Sequence, residues 1–314
     1  MAEIRAFSGW RYNLARVGEL SAVVAPPYDV IGPELEAQLL ARHPANVVRV
    51  ELGKEPPNNP DNERYARAAR HLHEWKVNGT LIEESDPAIY VCHQQFQVEG
   101  RSYTRRGFLA RLKLEPFGAG HVYPHEETMP GPKADRLKLY HATGMNISPV
   151  FGMYPDRENE VQELLEDAIR GQTPTEAVDH LGVVSRLWPL SKHEVVSRLQ
   201  GAMGPRPIFI ADGHHRYETA IRYREERRAA GAVRDDESPA DFCLMMCVGM
   251  GDPGLVILPT HRLIGGMRGL RAEQLRSLLA REFDIEDVGD GEAGGRATWE
   301  LIEADGGQNL LGCG

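Results

Sequence analysis

The stretch from Ala88 to Leu114 limits the fold more than any other part of the sequence. Two strand-like runs, AIYVCHQQFQV (88–98) and YTRRGFLARLKL (103–114), flank Glu99-Gly100-Arg101-Ser102. A short glycine-containing connection between such runs is a hairpin signature. Antiparallel pairing is therefore expected in part of the sheet. Helix-like segments occupy much of the remaining chain, so the expected class is α/β, in the α+β sense of a mixed sheet with helices.

Hydrophobic spacing places the other elements. From Asp61 to Trp75, the residues Tyr65, Ala68, Ala69, Leu72 and Trp75 share one helical face, and Asn78-Gly79 supplies a stop. SAVVAPPYDVIGPE reads as a short buried strand broken by Pro26 and Pro27, then a turn. NVVRVELG (46–53) is β-branched and predicts a strand closed by Gly53. ADRLKLYHATG predicts a helix with Asp135 near its start. ENEVQELLEDAIRG predicts an amphipathic helix through Val161, Leu164, Leu165, Ala168 and Ile169. VDHLGVVSRLWPL reads as a strand, and Ser191-x-x-Glu194 as a capping box opening the helix KHEVVSRLQGAM.

After Pro205, PIFIA is strand-like and RYETAIRYREERRAAG helix-like. DFCLMMCVGM and GLVILPTHRLI predict two buried strands joined by Gly251-Asp252-Pro253-Gly254. A last amphipathic helix runs through Leu275, Leu278, Leu279 and Phe283, and the glycine-rich sequence after Gly289 is weakly patterned. The expected division is an N-terminal α/β lobe with the hairpin (1–120) and a C-terminal lobe (121–314).

Composition narrows the partners. A formal charge of −10 over 314 residues repels nucleic acid and anionic membrane, so any anion site must be a local concentration of positive groups. No apolar run approaches the ~20 residues that span a bilayer, and MAEIRAFSGWRYN lacks a signal core. Four scattered cysteines do not form a disulfide framework, which fits a reducing cytoplasm.

The polar chemistry gathers in four places. In FIADGHHRYETA (209–220), a strand, a tight turn and a helix would aim backbone N–H groups and the helix dipole at one point. Gly213 would admit a ligand closely, His214, His215 and Arg216 would add donors, and Asp212 could cap the helix or hold a divalent ion. The plainer alternative is a capped helix start with solvated histidines. In YPHEETMPGPKADR (123–136), Lys133 and Arg136 suit phosphate and His125 or Glu126 a general base, with Glu127, Thr128 and Asp135 beside them; a mobile charged loop is the alternative. Thr260, His261 and Arg262 end an apolar run, and Tyr28 and Asp29 follow a rigid Pro-Pro.

Other chemistries find less support. There is no HExxH, CxxC or zinc-spaced histidine triad, and no GxxxxGK[ST], GxGxxG or GxSxG. Cys243 and Cys247 would share one face of a buried strand as inert thiols.

Taken in order, APPYDVI, PHEETMPGPKADRL, NISPVFGMY, FIADGHHRYETA and DPGLVILPTHRL resemble the bacterial and archaeal family of domain of unknown function 1015, over residues 5 to 290. The Asp-Gly-His-His-Arg element also resembles the phosphate-binding turn of the ParB/sulfiredoxin-type fold. That resemblance implies a ParB/sulfiredoxin-like phosphate-binding core with additional N-terminal α/β elements. It further implies a small-molecule phosphotransferase making O-phosphoserine from free L-serine, with pyrophosphate, ADP or ATP as donor and Mg²⁺ as cofactor.

Carried onto this chain, the implied donor-phosphate site is Asp212, Gly213, His214, His215 and Arg216, with Thr128, Lys133, Arg136, His261 and Arg262 around it. Glu126 is the first choice of base and Asp29 the second, with His125 as the other catalytic candidate. Tyr28, Asn146 and Ser148 would meet the acceptor, and Asp212 and Asp135 would hold the metal. A phosphatase or nucleotide hydrolase would use the same cleft on water. A nucleotide-gated, ParB-like binding protein is the alternative of another class; the net charge and the lack of a basic helix-turn-helix segment oppose it.

Overall fold

In the computed structural model, which describes every residue except 1, 54–62, 119, 234–236, 259–264, 267–268, 306–309 and 314, the N-terminal elements are short. They are β1 (Ile4–Arg5), β2 (Trp10–Tyr12) and a single helical turn, α1 (Leu14–Val17). The SAVVAPPYDVIGPE stretch is not a strand. It forms 3-10 turns at Leu20–Ala22 and Tyr28–Val30, because two consecutive prolines remove the amide donors a ladder requires.

α2 (Pro33–Arg42) leads to α3 (Val48–Glu51), where NVVRVELG gives a helical turn in place of the expected strand. Tertiary contacts override β-propensity there. Val48 and Val50 are buried, and the buried Asn46 side chain donates to the carbonyls of Ala22 and Val24 while accepting the Val48 amide. α4 (Glu63–Val77) buries Tyr65, Ala68, Leu72 and Trp75, as its spacing predicts. After β3 (Leu81–Glu83), the expected hairpin forms from β4 (Ile89–Val98) and β5 (Arg101–Lys113), turning at Glu99 and Gly100, both with positive φ.

β6 (Val122–Tyr123) precedes α5 (Pro130–Thr143), which starts ahead of the predicted Ala134 with proline in its first turn, where the ring's fixed φ suits a helix. Then follow β7 (Val150–Tyr154), the amphipathic α6 (Glu160–Ile169), β8 (Thr175–Val178) and β9 (Val184–Leu190). VDHLGVVSRLWPL thus holds the end of one strand, a turn and a second strand. α7 (His193–Met203) has Lys192 at its N-cap with no side-chain cap, so the Ser191–Glu194 box is not made. β10 (Ile208–Asp212), α8 (His214–Ala229) and β11 (Phe242–Gly249) complete the sheet region. Gly254 lies in a turn, residues 255–258 are irregular, and 259–264 lie outside the described residues.

Among the described residues, nine strands form one mixed sheet in the order β6-β10-β7-β11-β5-β4-β9-β8, with β1 antiparallel to β5. β10 runs parallel to β6 and β11 parallel to β7; the remaining neighbours in this sheet are antiparallel. One face carries the main core: Met245 and Cys247 of β11 pack there with Val161 and Leu165 of α6, Leu199 and Met203 of α7, and Tyr217 of α8. Met246 and Val248 alternate to the other face and join Cys92, Leu109, Phe151 and Leu187. A separate helical core unites α1, α3, α4 and α5 through Val17, Val50, Trp75 and Leu139. Burial pushes the Cys92 and Cys243 thiols up to about 12, which leaves them unreactive.

The chain groups into two compact units, residues 1–257 and 258–314, and the sheet draws on both sides of residue 120. The second unit holds α9 (Ala272–Leu279) and α10 (Gly291–Ala304), a helix in the sequence that pattern left unassigned. Among the described residues, no helix is long and apolar enough to cross a membrane.

Candidate functional site

Between the last residue of β10 and the first of α8 there is only Gly213, at φ +89. A side chain is strained in that left-handed conformation, and a Cβ would sit 3.0 Å from the Arg216 guanidinium. No side chain caps α8, so its first turn presents uncapped amides at the positive end of the helix dipole. Arg216 folds back over the turn, its Nη2 on the Asp212 carboxylate and its Nη1 on the Pro149 carbonyl.

The loop after β6 is fastened to this turn. The His125 amide donates to His214 Nε2 (3.2 Å) and the Met129 amide to His215 Nε2 (3.0 Å). His125 Nδ1 lies 2.7 Å from the Ile210 carbonyl, which can only accept, so that nitrogen carries the proton. Thr128 Oγ1 and Lys133 Nζ each donate to Glu218 Oε2 at 2.7 Å. Glu218 escaped sequence reasoning. Its position one helical turn after His214, on the same face, was the available signal.

His214 is 1% exposed, and its ring meets that of His125 edge-on with centroids 4.5 Å apart. Burial holds its pKa below the usual histidine value, although Glu126 pulls the other way. Its Nδ1 lies 3.0 Å from Glu126 Oε1 without forming a hydrogen bond. His125, Glu126 and His214 offer one ligand atom each within 4.8 Å of one another, a spacing that could hold a metal ion. Burial would raise the Glu218 pKa, but hydrogen bonds from Lys133 and Thr128 outweigh it and leave the carboxyl below its ordinary range.

A second group surrounds Arg136. Its guanidinium is buried, lies 3.5 Å from the buried Glu51 carboxylate, and donates to Asp135 and to the Glu51 carbonyl. The Tyr28 ring covers it with the centroid 3.9 Å away. Ser148 Oγ donates to Glu51 Oε1 at 2.6 Å. Asp135 is further engaged by Tyr65 and Arg64. Burial raises the Tyr28 pKa, opposed in part by the positive charges of Arg136 and Arg216. Asn146 accepts from Tyr140 and from the Leu244 amide, tying the loop before β7 to β11. Asp29 is exposed beside Tyr28.

The structure thus brings His125, Glu126, Thr128 and Lys133 to the Asp212–Arg216 turn. Arg136, Ser148, Tyr28 and Asp135 form the neighbouring group. Thr260, His261 and Arg262 lie outside the described residues. No curated protein and no solved structure matches the chain. The family model described as "Protein of unknown function (DUF1015)" matches residues 4–308. The chain therefore belongs to the DUF1015 family.

Proposed function

We propose that the protein is a small-molecule phosphotransferase that phosphorylates free L-serine, using pyrophosphate or a nucleotide as donor, on a ParB/sulfiredoxin-like core. The observation that carries this reading is the uncapped N-terminus of α8 behind a left-handed glycine, faced by a loop bearing a carboxylate and an imidazole, with Lys133 of α5 next to it. Phosphoryl transfer needs charge neutralisation and in-line positioning more than covalent chemistry from the protein. The amides at the start of α8 would receive the donor phosphates, with Arg216 and Lys133 neutralising charge beside them.

In the reaction, the serine hydroxyl oxygen forms the new bond to phosphorus as the donor's bridging P–O bond breaks. The hydroxyl proton passes to the Glu126 carboxylate, and phosphate or the shortened nucleotide leaves. His125 can also serve as base, since its Nδ1 is committed to Ile210 and its Nε2 keeps the lone pair, whereas among the described residues Asp29 makes no hydrogen bond or ion pair with the Asp212–Arg216 turn. Mg²⁺, when bound, would supply further charge neutralisation. Asp212 is more accessible to it than Asp135, whose oxygens are occupied by Tyr65, Arg64 and Arg136.

The test is incubation with serine, Mg²⁺ and each donor (pyrophosphate, ADP, ATP), with O-phosphoserine measured directly. Phosphoserine formation from one donor supports the reading. Release of phosphate without phosphoserine would replace it with hydrolysis.

A further inference from the structure

We infer that His214 and His215 are positioning residues: neighbouring imidazoles whose Nε2 atoms accept the loop amides of His125 and Met129 and so fix the loop that carries Glu126. The bonds are 3.2 and 3.0 Å long. An imidazole that accepts through Nε2 is neutral and carries its proton on Nδ1. His214 therefore presents a phosphate with no donor at Nε2, and its Nδ1 is buried against Glu126.

The adjacency of the two histidines follows from the same geometry. Successive residues on a helix point about 100° apart, so one side chain reaches the start of the loop and the next its end. Glu218, a turn later, takes Thr128 between them, and His125 Nδ1 adds a bond to the Ile210 carbonyl. Glu126 is bracketed by residues held on both sides, although its own side chain is half exposed.

The same tautomer bears on the metal-sized group of His125, Glu126 and His214. Ligation through His214 Nδ1 would put the proton on Nε2, facing the His125 amide donor. His214 can hold the loop or a metal, not both.

The meaning of the loop for catalysis rests on the proposed phosphotransferase; the hydrogen bonding does not, and the experiment separates the two. His214→Gln and His215→Gln keep an acceptor oxygen near Nε2, whereas His214→Ala and His215→Ala remove it. Hydrogen exchange of the 125–129 amides in the full chain should quicken about five- to tenfold in the alanine variants, as for one lost hydrogen bond. The glutamine variants should stay within about twofold of the parent. The half-exposed His215 provides the comparison should His214→Ala not fold. In the phosphoserine assay, His215→Ala should lower kcat with the donor KM nearly unchanged, and His215→Gln should restore it.

Unchanged loop exchange in His215→Ala together with a raised donor KM would overturn the inference and make the imidazole a phosphate ligand. Binding of added Zn²⁺ that is lost in His214→Gln would also overturn it for His214. If no donor gives phosphoserine, the exchange measurement still decides whether the histidines hold the loop.

Discussion

Arg136 Nη1 stands 3.5 Å from Glu51 Oε1, and both side chains are withdrawn from water, at 6% and 4% exposure. The pair joins α5 to the single turn of α3, and the Arg136–Asp135 bond extends it. Arg136 thus sits within the protein's framework rather than extending freely into the cleft. Removing one partner of a buried pair strands the other charge, which typically costs about 3–5 kcal/mol. Arg136→Ala should lose stability on that scale in urea denaturation, with Glu51→Gln also destabilised. A fully stable Arg136→Ala with weakened pyrophosphate binding would assign the guanidinium to the ligand.

Gly213→Ala tests the turn itself. The left-handed φ alone costs roughly 1–2 kcal/mol for an L-residue, and the new methyl would press on the Arg216 guanidinium. Thermal melts should show that loss, and the melting shift produced by pyrophosphate with Mg²⁺ should shrink. An undiminished pyrophosphate shift would show that the close backbone approach at this glycine is not needed for the anion.

Protonation of His214 sets an acid limit. Its folded pKa is depressed below 6.5 by burial, so as pH falls the unfolded chain takes up the proton first. The stabilising contribution is complete above about pH 6.5 and is lost as pH drops from there through the folded value. Denaturation midpoints measured from pH 8 to 5 should decline in the parent and flatten in His214→Gln. Equal slopes in both proteins would place the acid sensitivity elsewhere.

Glu218 has a lower window. Its folded pKa lies below 4.5, so it stabilises the fold above about pH 4.5 and ceases to do so as pH falls through the folded value. At pH 7, Glu218→Gln should cost no more than about 1 kcal/mol, as befits a partly solvated pair. Hydrogen exchange at Thr128 should nevertheless rise, because its hydroxyl loses a charged acceptor. Exchange unchanged from the parent would show that the Lys133 and Thr128 contacts do not restrain the loop.

Much of the fold was legible where local and tertiary preferences agree. The hairpin at 88–114, the α4 face from Tyr65 to Trp75 and the β10–Gly213–α8 junction all follow from spacing and turn chemistry. The misread segments are those where packing overrules propensity. Val48 and Val50 favour a strand in isolation, but the Asn46 side chain bonds two distant carbonyls and fixes a helical turn. α10 escaped notice because Gly291, Gly294 and Gly295 dilute the pattern of its first turns. In the candidate site, the 123–133 and 209–220 motifs are brought together by hydrogen bonds from the loop and from Lys133 to α8. The sequence could not show that Glu218 would take Lys133 and Thr128, because that pairing depends on how α5 lies beside α8, nor that Arg136 would meet Glu51 of α3.

The place of β11 at the centre of the sheet has a consequence for biosynthesis. It joins β5 (Arg101–Lys113) to β7 (Val150–Tyr154), yet it is made only at residues 242–249. At translation speeds of about 5–20 residues per second, the hairpin and β7 wait on the order of ten seconds with unpaired edges. Those edges are ready-made partners for other nascent chains. Early release of the polypeptide, before Gly249 is polymerised, should therefore yield aggregates rather than a smaller soluble fold, and chaperones that shield sheet edges should matter most in that interval.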